Sequence, residues 1–295
     1  MDIVFRVLLL MLFGLAPLGS LANPSAPLAI TYAKFSNLDD PREKFPLAVL
    51  DLALEKMQIK YSAKPCPDVM ERGRALIELE QGRRVNLIWT SMAAESEKNL
   101  RPIRIPIYRG LTGHRLFLIP KTRQLEFAKI KTLDDLRKFN GGVGLGWVDG
   151  KIMEQAGLRV TRDKYDTLFR LLDAESIDYF PRGANEAFAE LATHQKNLPN
   201  LMVEPNLMLV YKSDVIFYLN KKDEVLAGQI EKGILQAYED GSYMKLFNEH
   251  PYVLQVLRDA ALDKRTRLEL NNPVLSDEDL AIPARFWMSS GKGGR

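Results

Sequence analysis

Three short segments decide the fold: Leu28-Ala-Ile-Thr-Tyr-Ala33, Gln58-Ile-Lys-Tyr-Ser-Ala63 and Val85-Asn-Leu-Ile-Trp89. Each carries β-branched or aromatic residues of the kind that suit a half-buried pleated strand. Between the first two, Phe45, Val49, Leu50, Ala53, Leu54 and Met57 recur at helical spacing within Glu43–Met57. Between the second and third, Asp68 and Glu71 form a capping pattern for a helix that runs to Gly82, a residue suited to ending one. Strand, helix, strand, helix, strand predicts a parallel sheet with crossover helices.

A second run of the same kind begins near Arg115. Strands are expected at Arg115–Ile119, Val143–Trp147, Leu158–Thr161, Ile177–Phe180 and Leu201–Glu204. Helices are expected at Thr132–Lys138 (capped by Thr132), Gly150–Ala156, Tyr165–Leu172 and Ala184–Thr193. After Pro205 comes a strand, Asp214–Leu219, and then a long helix from Asp223 to about Glu239 that ends at Gly241. The halves share a pattern of elements and no sequence repeat. An α/β protein of two lobes follows, the second inserted into the first: residues 23–113 and 207–262 form lobe 1 and residues 114–206 form lobe 2. Two crossings, Gly110–Arg115 and Asn206–Lys212, predict a hinge about which the lobes close. Residues 263–295 are read as a C-terminal extension and tail. Its apolar Leu270, Val274, Leu275, Ile282, Phe286, Trp287 and Met288 either dock on lobe 1 or form a partner surface.

The ends of the chain set the compartment. Val7–Leu18 is a nearly unbroken apolar run of about a dozen residues, short of the roughly 20 that span a bilayer. Ser20 and Ala22 stand where a signal peptidase reads small residues, so residues 1–22 are expected to be a signal peptide cleaved after Ala22. No membrane anchor is expected after cleavage, and the site of action is expected to be the periplasm. The charge balance, 41 basic against 38 acidic residues, is spread along the chain without the concentrated basic stripe of a nucleic-acid surface. Cys66 is the single cysteine, so no disulfide can form within the chain and no thiolate metal cluster is possible. Flanked by Pro65 and Pro67, it is read as an inert thiol in a strand-to-helix turn.

Several stretches resemble the extracellular solute-binding family 3, the polar-amino-acid type of periplasmic binding protein. Leu79-Glu-Gln-Gly82 before Val85-Asn-Leu-Ile88 is similar to that family's helix, glycine and strand into the cleft. Thr90 and Ile103-Arg-Ile-Pro106 follow in the family's order, and Ala237-Tyr-Glu-Asp-Gly241 with Tyr243 resembles its closing helix. The resemblance covers roughly residues 28–250 and implies the type II two-lobed fold with a ligand between the lobes. Its amino-acid-binding members place an arginine about six residues before the Ile103 position, to grip a ligand carboxylate. Counting back gives Glu97 here, and Lys34-Phe-Ser-Asn37 replaces the family's aromatic wall after the first strand. The implied ligand is a small polar molecule, and these two departures count against a standard α-amino acid.

Ligands of open α/β sheets sit outside the carboxyl ends of the strands, a rule that selects candidates independently of any family. After the third strand it selects Trp89, which either stacks on a ligand or packs in the core. It also selects Thr90 and Ser91, which either bond a ligand or cap a helix. Gly142-Val-Gly-Leu-Gly146-Trp147-Val-Asp149-Gly150 ends a strand and opens a helix; Trp147 is a stacking candidate, and Asp149 either caps the helix or faces a ligand ammonium. The glycine spacing there is not that of a dinucleotide loop, so no cofactor is expected. Arg182, and likewise Arg104, offers a planar fork for a carboxylate or phosphate. The alternative for Arg182 is a surface pair with Glu186. Two unpaired arginines in a closed cleft would require an anionic group beside them.

His114, His194 and His250 show no metal-ligand spacing, and no nucleophile elbow is present, so neither a metal nor a catalytic set is expected. The reading is a monomeric periplasmic solute-binding protein for a small polar, anionic or zwitterionic metabolite, working with a membrane permease and not as an enzyme. The alternatives are a sensory or accessory protein serving a membrane receptor and, further off, a periplasmic enzyme of the same fold.

Overall fold

The computed structural model describes residues 27–35 and 40–288. The expected signal peptide with its cleavage point, Ser36 and Asn37, and the basic tail lie outside the described residues.

The chain opens with β1 (Leu28–Lys34), α1 (Lys44–Lys56), β2 (Tyr61–Val69), α2 (Arg72–Glu80), β3 (Ile88–Ser91), α3 (Ala94–Glu97) and β4 (Leu100–Ile103). It crosses to the second lobe as β5 (His114–Pro120), followed by α4 (Gln124–Phe127), α5 (Leu133–Leu136), β6 (Asn140–Gly144), α6 (Asp149–Gln155) and β7 (Arg159–Asp163). Next come α7 (Tyr165–Asp173), β8 (Phe180–Gly183), α8 (Ala187–His194), β9 (Leu201–Val203) and β10 (Leu207–Val210). The return to lobe 1 is β11 (Val215–Asn220), α9 (Glu224–Glu239) and α10 (Ser242–Glu249). The described chain ends with α11 (Pro251–Ala260), β12 (Thr266–Glu269) and α12 (Asp277–Leu280).

The two sheets have the same plan. In lobe 1, β2 and β1 pair in parallel, a bridge from Tyr32 to Leu87 joins β1 to the start of β3, and β11 lies antiparallel between β3 and β4. In lobe 2, β7 and β6 pair in parallel, a bridge from Gly141 to Tyr179 joins β6 to the approach of β8, and β5 lies antiparallel between β8 and β9. Each lobe thus receives one antiparallel strand from the other, β5 in one direction and β11 in the other. Burial explains the strands. Along β5, Leu116 and Leu118 join one core cluster while Phe117 and Ile119 join the other, so an unbroken apolar run fits a strand covered on both faces. Helix α1 buries Phe45, Val49, Leu50, Ala53 and Leu54, the residues of its helical repeat. The Thr132 cap is present as a full capping box with Asp135.

Several boundaries differ from expectation, with β8 and α8 each starting three residues later than expected. Strand β2 runs on through Pro65 and Pro67 to Val69, as an edge strand permits, so Cys66 is a buried strand residue and not part of a turn. Helix α2 accordingly starts at Arg72; Glu71 makes no capping bond and Asp68 pairs instead with Arg84. Strand β6 starts at Asn140, three residues before the expected Val143. Its glycines lie against side chains, where a Cβ on Gly141 would fall 2.7 Å from the Tyr179 ring and one on Gly142 would fall 2.5 Å from Ile177.

The two crossings touch at Gly113, whose carbonyl accepts from Tyr211 N at 3.1 Å. A Cβ there would lie 2.2 Å from Tyr211 O. Buried Asp214 ties the crossings together by accepting from Tyr108 N (3.0 Å), Gly110 N (2.5 Å) and Thr112 Oγ1 (2.8 Å). The C-terminal extension docks, and not on lobe 1 alone: it touches both lobes. Strand β12 lies parallel to β10 in the lobe 2 sheet, and Ala94 N of lobe 1 then donates to Val274 O at 2.9 Å. Phe286 packs edge-on to Tyr238 at 4.7 Å, and Met288 N donates to Arg109 O at 2.7 Å beside the hinge. No helix among the described residues is long and apolar enough to cross a membrane.

Candidate functional site

The segments that follow β1, β2 and β3 in lobe 1 meet those that follow β6 and β8 in lobe 2, where Arg42 reaches Glu190, Arg72 reaches Gly146 and Lys151 reaches Glu95. On the lobe 1 side, Trp89 is half-buried, tilted against Tyr32 with ring centroids 5.1 Å apart and edge-on to Phe217 at 6.3 Å. Thr90 is buried and its Oγ1 accepts from Arg72 Nε at 2.8 Å. Ser91 is half-buried, in register with Val215 of the returning strand. Arg104 pairs with Glu97 at 2.5 Å and with buried Asp279 of α12 at 3.4 Å, so the C-terminal extension takes part in holding it.

On the lobe 2 side, Trp147, Asp149 and Arg182 come together. The Trp147 ring lies under the Arg182 guanidinium, 4.3 Å from its Cζ, and stacks on Phe180 at 6.1 Å. Such a cation over an indole adds to the packing of both. Asp149 is the first residue of α6 and not its cap; Val148 holds the capping position and makes no side-chain bond. The Asp149 carboxylate pairs with buried Arg115 at 2.5 Å and accepts from the Tyr211 hydroxyl. Arg182 is buried and bidentate to Glu190, through Nε at 2.5 Å and Nη2 at 2.8 Å, with Glu186 at 3.1 Å. The Glu186 pair weighed from sequence therefore exists, within a buried network and not on the surface. Arg182 and Arg104 both have carboxylate partners within the chain, so neither requires an anionic ligand for neutrality.

Three functional candidates escaped the sequence reading. Arg42, in the turn after β1, donates Nε and Nη2 to Asp40 and Nη1 across the cleft to Glu190. Glu190 itself is buried on the inner side of α8. Burial alone would raise its carboxyl, but Arg182 and Arg42 hold it below the ordinary carboxylate value. Arg72, at the first turn of α2, reaches Ser96 Oγ at 3.1 Å and, across the cleft, Gly146 O at 3.5 Å. The carboxyl-end rule, applied to β2 with its true end, selects Arg72; for Glu190 the sequence holds no signal.

Further ties span the lobes: Lys151 Nζ to Glu95 at 2.9 Å, and the Tyr252 hydroxyl donating to Asn185 O. Beside the latter, a cavity of about 330 Å³ opens between Pro41 of lobe 1, Asn185 and Phe188 of lobe 2, and Tyr252 and Val256 of α11. The Asn185 Oδ1 beside it is buried and has no hydrogen-bond partner among the described residues. Among the described residues no group of three or more His, Cys, Asp or Glu is placed to hold a metal ion.

No family model matches the sequence, and no curated protein matches it significantly. Solved structures do match. An arginine third transport system periplasmic binding protein from Legionella pneumophila superposes with a TM-score of 0.55 at 14% identity, covering 76% of this chain and 99% of its own. An amino acid ABC transporter substrate-binding protein from Streptococcus pneumoniae, bound to L-arginine, gives 0.54 at 15% identity, with 79% and 95% covered. An ancestral amino-acid-binding protein described as a precursor of cyclohexadienyl dehydratase gives 0.51 at 13% identity, with 75% and 94% covered. The fold of this chain is that of the type II periplasmic binding proteins, two α/β lobes about a two-strand hinge, as the resemblance in sequence implied.

Proposed function

We propose that this protein is a periplasmic solute-binding protein that closes on a small polar, anionic or zwitterionic metabolite between its lobes and presents it to a membrane permease. It acts by reversible binding, without chemistry on the solute, and as a monomer freed of its signal peptide after Ala22. The observation that supports this reading best is the meeting of segments that follow strands of both lobes across a band of charged and aromatic side chains, bridged by Arg42 to Glu190 and Arg72 to Gly146. Trp89, Ser91 and Trp147 are half-buried there and offer a ligand two indoles and a hydroxyl. Thr90, Asp149 and Arg182, bonded within the chain, shape the walls, and Arg104 supports lobe 1 from the side of the extension.

A thermal-shift screen of small polar metabolites tests it. A solute that binds only the folded state adds about 2.7 kcal/mol at 100 times its dissociation constant, a readily measured shift. Its addition should also make the protein more compact in small-angle X-ray scattering. Failure of every solute to stabilise, or turnover of one of them by the purified protein, would overturn the reading.

A further inference from the structure

Among the described residues around the cleft, one arginine has no carboxylate partner. Arg42 has Asp40 and Glu190, Arg115 has Asp149 and Glu186, Arg182 has Glu186 and Glu190, and Arg104 has Glu97 and Asp279. Arg72 is different: among the described residues its guanidinium touches only neutral oxygens, Thr90 Oγ1 at 2.8 Å, Ser96 Oγ at 3.1 Å and Gly146 O at 3.5 Å. The carboxylates whose field reaches it, Asp149 and Glu95, are engaged by Arg115 and Lys151. Burial consequently lowers its pKa, because removal from water is not matched by a counter-charge.

The two hydroxyls hold Nε and Nη2, and the long contact to Gly146 leaves Nη1 at the exposed edge of the cleft. A guanidinium has five donors in a fixed fork, and a half-buried one without an anion is unfavourable until an anion arrives. We propose that Arg72 is the specificity-determining residue of the cleft and that the solute carries an oxyanion, a carboxylate or phosphate, and no net positive charge. A cationic solute would find Asp149, Glu186, Glu190 and Glu97 already committed to arginines. The inference rests on the solute-binding reading above and assigns the solute's anionic group to one residue.

The test is a set of titrations at pH 7 on the full-length protein and its Arg72→Gln and Arg72→Lys variants. The probes are inorganic phosphate, succinate, L-glutamate and L-arginine, read by thermal shift and calorimetry. At least one of the first three should bind. Arg72→Gln should weaken it by about 10- to 100-fold, the range of a lost charge-assisted hydrogen bond. Arg72→Lys should recover part of the affinity, since it keeps the charge and loses the fork. Phosphate binding without succinate binding, or the reverse, assigns the oxyanion. Binding of L-arginine, or oxyanion affinity unchanged in Arg72→Gln, overturns the inference while leaving solute binding intact. Absence of binding by all four probes overturns the inference, and the broader metabolite screen then decides the solute-binding reading separately.

Discussion

Arg42→Met tests whether the lobes are held together by the buried charges between them. The substitution keeps the stem and removes the guanidinium that reaches Glu190, a residue whose side chain is 1% exposed. Glu190 is not stranded, because Arg182 still donates to it at 2.5 and 2.8 Å. Asp40 likewise keeps the bond from Arg42 N at 3.0 Å. The loss between the lobes is therefore that of one charge-assisted hydrogen bond, about 1.5–3 kcal/mol, and not the roughly 3–5 kcal/mol of an orphaned buried ion, while the Nε and Nη2 bonds to Asp40 lie within lobe 1 and are lost from the open and closed forms alike. Because the bond joins the lobes, it is broken whenever the cleft opens. Its free energy enters the closed-to-open equilibrium directly, as a factor of about 10 to 150 toward the open form. Two measurements read it. Small-angle scattering of the ligand-free variant should show a larger radius of gyration than the wild type. The affinity for any solute bound by the closed form should fall in proportion to the lost closed population. In a double-mutant cycle with Glu190→Gln, the coupling between the two positions should be about 1–3 kcal/mol. A variant with wild-type scattering and wild-type affinity would refute the idea that Arg42 ties the lobes.

Acid should act through the same network. Arg182 and Arg42 hold the folded-state pKa of Glu190 below its unfolded value, so its contribution is present above about pH 4.3 and is lost as pH falls through the folded value. The difference in urea midpoint between wild type and Glu190→Gln should shrink on going from pH 7 to pH 3; a constant difference would count against the ion pair. Gly113→Ala puts a Cβ 2.2 Å from Tyr211 O and 2.8 Å from Ser213 O in the hinge. It should lower stability by about 1–3 kcal/mol in guanidinium chloride, and an unchanged midpoint would mean the crossings are not in contact. Phe286→Ala removes a buried ring packed on Tyr238 and should cost about 3–5 kcal/mol. A loss below about 0.5 kcal/mol, the scale of a surface change, would show the extension undocked.

How far the sequence carried the fold depended on where burial was periodic. Helix α1 announced itself because its apolar residues keep one helical period, and strand β5 because its apolar run is unbroken. Strand β12 did not, since only Leu268 of Thr266-Arg-Leu-Glu269 is fully buried and its ladder lies at the edge beside β10. Site residues followed the same division. The carboxyl-end rule selects Trp89, Trp147 and Arg182 as candidates because those lie near strand ends in the chain. It missed Arg72 because the Asp68 and Glu71 pattern placed the start of α2 too early, making Arg72 look like the interior of a helix and not its cleft-facing first turn. Charge partners were less legible still. Arg42 and Glu190 are 148 residues apart, and a glutamate on an amphipathic helix is ordinarily a solvated one. Its burial is decided by two arginines that only the fold brings to it.

The two cross-cleft arginines act in opposite senses, and that opposition gives closure its dependence on a solute. A ligand can shift an equilibrium only by the difference in its affinity for the two states. Arg42 favours closure unaided, because its partner Glu190 belongs to the chain; Lys151 and Glu95, an exposed pair, add at most about 1 kcal/mol. Arg72 disfavours closure unaided, because shutting the cleft removes water from a guanidinium that meets only the Gly146 carbonyl on the far side. An oxyanion at Arg72 reverses that second term and leaves the first untouched. On the proposed reading, Arg42 then sets how nearly closed the empty protein stands, and Arg72 sets which solute completes the movement. The two substitutions should consequently separate: Arg42→Met alters the scattering of the empty protein and weakens every solute alike, whereas Arg72→Gln leaves the empty protein at least as closed and removes the preference for anions.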